Sequence, residues 1–181
     1  DAHLVVEISD EQFAFRHALT REVIYSNLLA RERKVLHREV ADSIERDAGA
    51  AQRYLSELSY HLLEAGDWER ALSYALRAGE QADALRSPSA AVEHLTRALV
   101  AAARLGVSRT PMLRARGRAY EMLGAFEPAR IDQEAALFSA RSEADDGAEW
   151  QALLDLGMLW TGRDYEQSGK WLRLATEKSR D

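Results

Sequence analysis

Five histidines, His3, His17, His37, His61 and His94, are the residues of this 181-residue chain best suited to bind a metal or move a proton near neutral pH. Their spacing does not assemble them. None stands in a His-Glu-x-x-His arrangement, and lone helical histidines are ordinarily structural. Glu143, Asp145 and Asp146 form an acidic cluster. A calcium loop needs oxygens at alternating positions and a closing glutamate, and that register is missing, so the cluster reads as a solvated loop. The sequence has no Gly-x-x-x-x-Gly-Lys-Ser/Thr loop to cradle phosphates, no Gly-x-Ser-x-Gly elbow and no cysteine nucleophile. The chain is therefore read as a binding module and not an enzyme, with no cofactor of its own. Arg114 and Arg118 remain as a pair with recognition chemistry: four apart on one helical face, they can fork onto a carboxylate or phosphate.

The elements that must position these residues are helices. Gly66 can end one helix in the left-handed backbone conformation, and Asp67 can accept from the free amides that open the next, which makes residues 61–78 a helical hairpin corner. Beyond it, Ala71, Ala75 and Ala78 form a nearly bare stripe that permits close approach of a neighbouring helix. Pro88, Pro111 and Pro128 fall where helices should begin, Pro88 after Ser87 and Pro111 after Thr110 as N-caps. The spacing predicts helices over 53–65, 68–86, 88–105, 111–123, 126–143, 147–161 and 165–179, the second long enough to serve two hairpins. The N-terminus differs. Leu4 to Ile8 and Phe13 to Phe15 are β-prone runs around a polar turn, followed by helical patterns from Ala18 to Leu29, with Leu19, Val23 and Leu28 on one face, and from Arg31 to Glu45, with Leu36, Val40 and Ile44 on one face.

The hairpin corner at Gly66-Asp67-Trp68, and its looser returns at residues 117–129 and 157–165, resemble the tetratricopeptide repeat: a small residue, an aromatic, a Gly-Asp-aromatic turn, then alanine. The resemblance implies an all-α superhelix of antiparallel hairpins with a consistent right-handed turn over residues 49–181, behind a short β-ribbon remnant. In such proteins the inward residues lie beside the packing stripe. Fixing that stripe by Ser59, Gly117 and Gly157 places Tyr60, Arg114, Arg118, Leu154 and Met158 on an inner groove suited to an acidic peptide or a small anionic effector. The alternative is that Arg114 and Arg118 are solvated charges offset by Glu121.

A second resemblance rests on Phe13-Ala14-Phe15-Arg16-His17-Ala18-Leu19-Thr20-Arg21-Glu22-Val23-Ile24-Tyr25, then Arg33, then Leu36 to Ala41 and Ile44-Glu45. It looks like the junction in STAND-class signal-transduction ATPases, such as the large LuxR-type and maltose-regulon-activator-like regulators, where a winged-helix module ends and a helical-repeat sensor begins. The resemblance implies that residues 1–48 are the C-terminal part of that module, which agrees with reading the opening at Asp1, in an extended run, as a piece of a longer protein. It also implies that His17 reaches a nucleotide held by an upstream nucleotide-binding domain; the other reading makes His17 a helix-start residue satisfied by backbone or water. The partners implied are a protein or small anionic effector on the repeats and an upstream ATPase module in the same polypeptide, with a DNA-binding or cyclase output outside these residues. A free-standing tetratricopeptide adaptor is the competing reading.

Composition agrees with a soluble helical chain: 46% hydrophobic and 30% charged residues, no cysteine, and a net charge of −6 that disfavours direct nucleic-acid contact. The longest apolar run, Ala98 to Ala103, is far below the roughly 20 residues of a membrane span, so no membrane contact and a cytoplasmic location are expected. Trp68 and Trp160 coincide with repeat positions that pack between helices. Trp150 and Trp171 fall outside the pattern and read as exposed anchors or as covers for the C-terminal end.

Overall fold

The computed structural model describes residues 5–9, 12–15, 18–47 and 49–179. Two short strands, β1 (Val5–Ser9) and β2 (Gln12–Phe15), pair antiparallel with Val5 opposite Phe15 and Val6 opposite Ala14. The remainder of the described chain is helical: α1 (Ala18–Asn27), α2 (Ala30–Arg46), α3 (Ala50–Arg53), α4 (Leu55–Ala65), α5 (Trp68–Ala84), α6 (Pro88–Leu105), α7 (Thr110–Met122), α8 (Phe126–Ser142), α9 (Asp146–Trp160) and α10 (Tyr165–Lys178). No helix among these residues is long and apolar enough to cross a membrane.

Local chemistry sets the breaks. Gly66 sits at φ 77° after α4, and the Asp67 side chain accepts from the Arg70 amide to open α5. Asp145 accepts from the Ala148 amide at 2.9 Å, and Asp164 from those of Glu166 and Gln167, so the cluster read as a solvated loop contains the cap of α9. Pro88 occupies the start of α6, although Ser87 makes no side-chain cap. Thr110 does not cap α7 as expected. It lies inside the first turn, 2% exposed, because the helix begins one residue earlier than its proline indicates.

From α4 onward each helix packs on the one before and the one after, with lighter contacts between α4 and α6 and between α7 and α9. The core is accordingly a ribbon handed along the array. Ala41, Leu58, Leu62 and Ala71 join α2, α4 and α5; Ala75, Ala91, Leu95 and Met112 join α5, α6 and α7; Leu137, Leu153, Leu156 and Ala175 join α8, α9 and α10. Small residues set the spacing at the seams. Ala71, Ala75 and Ala78 are buried, and a Cβ on Gly117 would lie 2.7 Å from Gln133 Nε2. One on Gly157 would lie 2.5 Å from Leu172 Cδ2. Trp160 meets Phe126 edge-on, Trp68 lies under Arg104, and Trp171 packs into the last cluster, while Trp150 keeps 38% of its surface exposed.

The first two helices depart from this economy. Of the face expected to be buried on α1 and α2, Leu19, Val23, Leu36 and Val40 are 41–75% exposed, as are Leu29 and Val35 outside it, while Leu28 and Ile44 are half-buried. The reason is the register of α2, which turns His37 and Ala41 toward α4 and leaves Leu36 and Val40 beside the contact.

Two substitutions check the seams. Gly157→Ala should overpack α9 against α10 by about 1–3 kcal/mol, and Ala75→Leu should cost the α5 seam a similar amount. Gly162→Ala, with nothing within 4 Å of the added Cβ, is the neutral control in urea denaturation.

Candidate functional site

The helix faces around α7 carry two arginine–carboxylate pairs that cross between helices. Arg116 of α7 forks onto Asp132 of α8, at 2.7 and 2.8 Å, and donates to Thr96 Oγ1 of α6 at 2.9 Å. Asp132 is only 3% exposed, and its hydrogen bonds hold the Arg116 guanidinium above its usual range. This pair was not singled out in the sequence. Its members lie 16 positions apart on helices whose relative rotation no local pattern reports.

The neighbouring face holds the pair that was. Arg114 Nε donates to an Asp155 carboxylate oxygen of α9 at 2.6 Å and its Nη1 to Gln151 Oε1, while Arg118 Nη1 lies 4.0 Å from the same aspartate. Asp155 lies beside both arginines, a partner that neither sequence reading names. Arg114 is not held open for an external anion but is paired with Asp155, while Glu121, whose pKa is pushed up chiefly by burial, also feels the Arg118 charge. Arg114 and Asp155 side chains are each 18% exposed, whereas Arg118 is 55% exposed and loosely held.

Arg118 also borders a cavity of about 250 Å³ between α5 and α7, over α6. Leu76, Leu95, Met112 and Ala115 give it apolar walls, and Glu80 and Asp83 stand one helical turn apart on the α5 side. Small residues open it: Gly79, Ala91 and Ala119 leave room where larger side chains would close the groove. A shallower recess farther along is lined by Glu121, Phe126, Met158 and Arg163, the last lying over the Phe126 ring at 4.2 Å.

Of the expected groove residues, Arg114, Arg118, Leu154 and Met158 therefore fall on the α7–α9 side, with Leu154 half-buried against the core and Met158 65% exposed. Tyr60 does not join them. Its ring meets His37 of α2 and His61 of α4, and Arg97 of α6 lies over it. The long helix α5 packs on both α4 and α6, and α7 consequently shares its cavity with α5 and not with α4. His17 lies outside the described residues. Among those described, no group of three or more His, Asp or Glu side chains is arranged to hold a metal ion.

No protein-family model matches the chain. No curated protein matches it in sequence. Among solved structures it is similar to the crystal structure of BtubC (BKLC) from P. vanneervenii, with a TM-score of 0.53 at 18% sequence identity, over 91% of this chain and 74% of that one. At that identity the likeness is one of fold, and the shared property is an all-α architecture.

Removing a committed charge should differ from removing a loosely held one. Arg114→Met leaves Asp155 partly buried without its closest partner and should cost about 1–3 kcal/mol in urea denaturation. Arg118→Ala should stay within about 0.5 kcal/mol.

Proposed function

We propose that this chain is the non-catalytic sensor segment of a STAND-type, LuxR-like transcriptional regulator. In this reading β1, β2, α1 and α2 close a winged-helix module whose remainder lies upstream, and α4–α10 form a right-handed tetratricopeptide-like superhelix that receives an effector. The observation that carries the reading is the uncovered apolar face of α1 and α2. Leu19, Val23, Ile24, Leu29, Val35, Leu36 and Val40 all stand open on these two helices and their link, and exposed apolar surface of that kind marks an interaction site. A packed upstream module supplies the missing cover.

The effector site is the cavity between α5 and α7. The chemistry there refines the expected anionic ligand: Arg118 offers a guanidinium to a carboxylate or phosphate, and Glu80 and Asp83 offer carboxylates to an amine across an apolar floor. A small amphipathic effector, or a peptide end, bearing an anionic group and a cationic one fits that inventory. A protein partner reaches the same groove through such an end. Binding there changes how the repeats press on the ATPase module and so shifts an off–on equilibrium.

The test uses exposed positions. Val23→Glu with Leu36→Glu should leave the stability of this chain within about 0.5 kcal/mol for each site, because both side chains already face solvent. In the full-length protein the same pair should uncouple the ATPase module and raise its basal turnover. The chain by itself should neither bind nor hydrolyse ATP. A full-length protein without a phosphate loop, or one whose activity ignores the double substitution, would favour the adaptor reading.

A further inference from the structure

The seam between α2 and α4 contains an arrangement that neither the array nor the effector site uses. His37 Nδ1 and His61 Nδ1 lie 2.8 Å apart, and His37 Nε2 lies 2.8 Å from the Tyr25 hydroxyl of α1. His37 is 6% exposed, and the Tyr60 ring stands edge-on to both imidazoles, with centroids at 5.5 and 5.2 Å.

Proton counting defines what this geometry can hold. A bond between two Nδ1 atoms needs one N–H and one lone pair. With both rings neutral, His37 donates to His61 and accepts from Tyr25, or the reverse, and both bonds are made. One added proton is also accommodated: a charged His37 donates through Nδ1 to His61 and through Nε2 to the Tyr25 oxygen. The second proton has no place, because it sets N–H against N–H and cation against cation at 2.8 Å.

We propose that His37 and His61 form a proton-operated latch that holds α1 and the first half of α2 against α4, and that acidification opens it. The surrounding charges are mixed. Arg33 of α2 opposes a charge on His37, Glu64 of α4 favours one there, Glu57 and Glu64 favour one on His61, and Arg97 of α6 lies over the intervening Tyr60 ring. Burial is the largest influence on both imidazoles and pushes each below its ordinary value; on His61 the neighbouring His37 acts in the same direction. The unfolded chain therefore binds these protons more readily than the folded one. The contribution is fully present above the unfolded value near 6.5 and is lost as pH falls from there through the folded values.

Opening is local. Farther along α2, Arg70 of α5 donates to Asp42, at 2.8 Å, and to Glu45, ion pairs that do not involve the imidazoles. Arg38 donates to the Ala65 carbonyl. The C-terminal half of α2 thus stays tethered while its N-terminal half swings free. The latch is a property of these helices; only its consequence, a pH-dependent grip on an upstream module, rests on the regulator reading.

Hydrogen exchange on this chain tests it, after correction for the pH dependence of intrinsic exchange. Protection over residues 18–40 should fall between pH 8 and pH 5, by up to about tenfold per pH unit for each linked proton, while α5–α10 remain protected. His61→Gln supplies an amide that can accept from or donate to His37 without charging, and protection over 18–40 in that variant should be nearly flat across the range. Equal acid sensitivity in the two proteins, or undiminished protection in the parent, would overturn the latch. Should the variant fold poorly, the imidazole Cε1–H shifts of the parent decide: two coupled steps with the second depressed support the latch, and two independent titrations near 6.5 overturn it.

Discussion

Everything in the array depends on how closely one helix backbone can approach the next, and that distance is set by side chains that are missing. Ala71, Ala75 and Ala78 on α5, Gly117 on α7 and Gly157 on α9 remove bulk at the positions where neighbours cross. Leu172 and Gln133 enter the vacated space so fully that even one added carbon would meet them below normal contact distance. Such seams act between neighbours, so the stability of the array is approximately a sum of adjacent interfaces. A different set of small residues, Gly79, Ala91 and Ala119, leaves room for the cavity between α5 and α7.

Charge then pins the rotation that small residues leave free. Arg116 bound to Asp132 ties α7 to α8, Thr96 brings in α6, and Arg114 bound to Asp155 ties α7 to α9. A bidentate guanidinium tolerates little rotation. Whether such partly buried pairs add net stability depends on their desolvation, but losing one member leaves the other stranded, so the pair strongly disfavours other registers. Arg118, by contrast, is held at 4.0 Å and remains free to turn toward the cavity.

Helix existence and limits were largely legible in the sequence because their signals are local. Gly66-Asp67, Pro88 and Asp164 act within one turn of where they stand, and the helices fall within a few residues of the positions expected from them. Tertiary pairings were not legible. His37 and His61 are 24 residues apart, and Arg114 and Asp155 are 41 apart; each meeting depends on the rotation of two helices about their axes. Tyr60 shows the same limit. Fixing the stripe by Ser59, Gly117 and Gly157 put Tyr60 on one inner face with Arg114, whereas its ring meets His37 of α2 and lies under Arg97 of α6. Within the proposed site only Arg118 was expected from the sequence; Glu80, Asp83 and the apolar walls were not, because no local pattern brings α5 beside α7.

In the proposed function, α1 and α2 leave apolar side chains open in this chain because a module of the same polypeptide covers them in the full-length protein. The chain contains no cysteine, so a single Leu36→Cys reports that face without background. Its thiol should be alkylated readily in this chain, where Leu36 is 46% exposed, and at least about tenfold more slowly in the full-length protein, where burial requires an opening step before reaction. Equal labelling rates in the two would mean that the face is open in both, and would contradict the account.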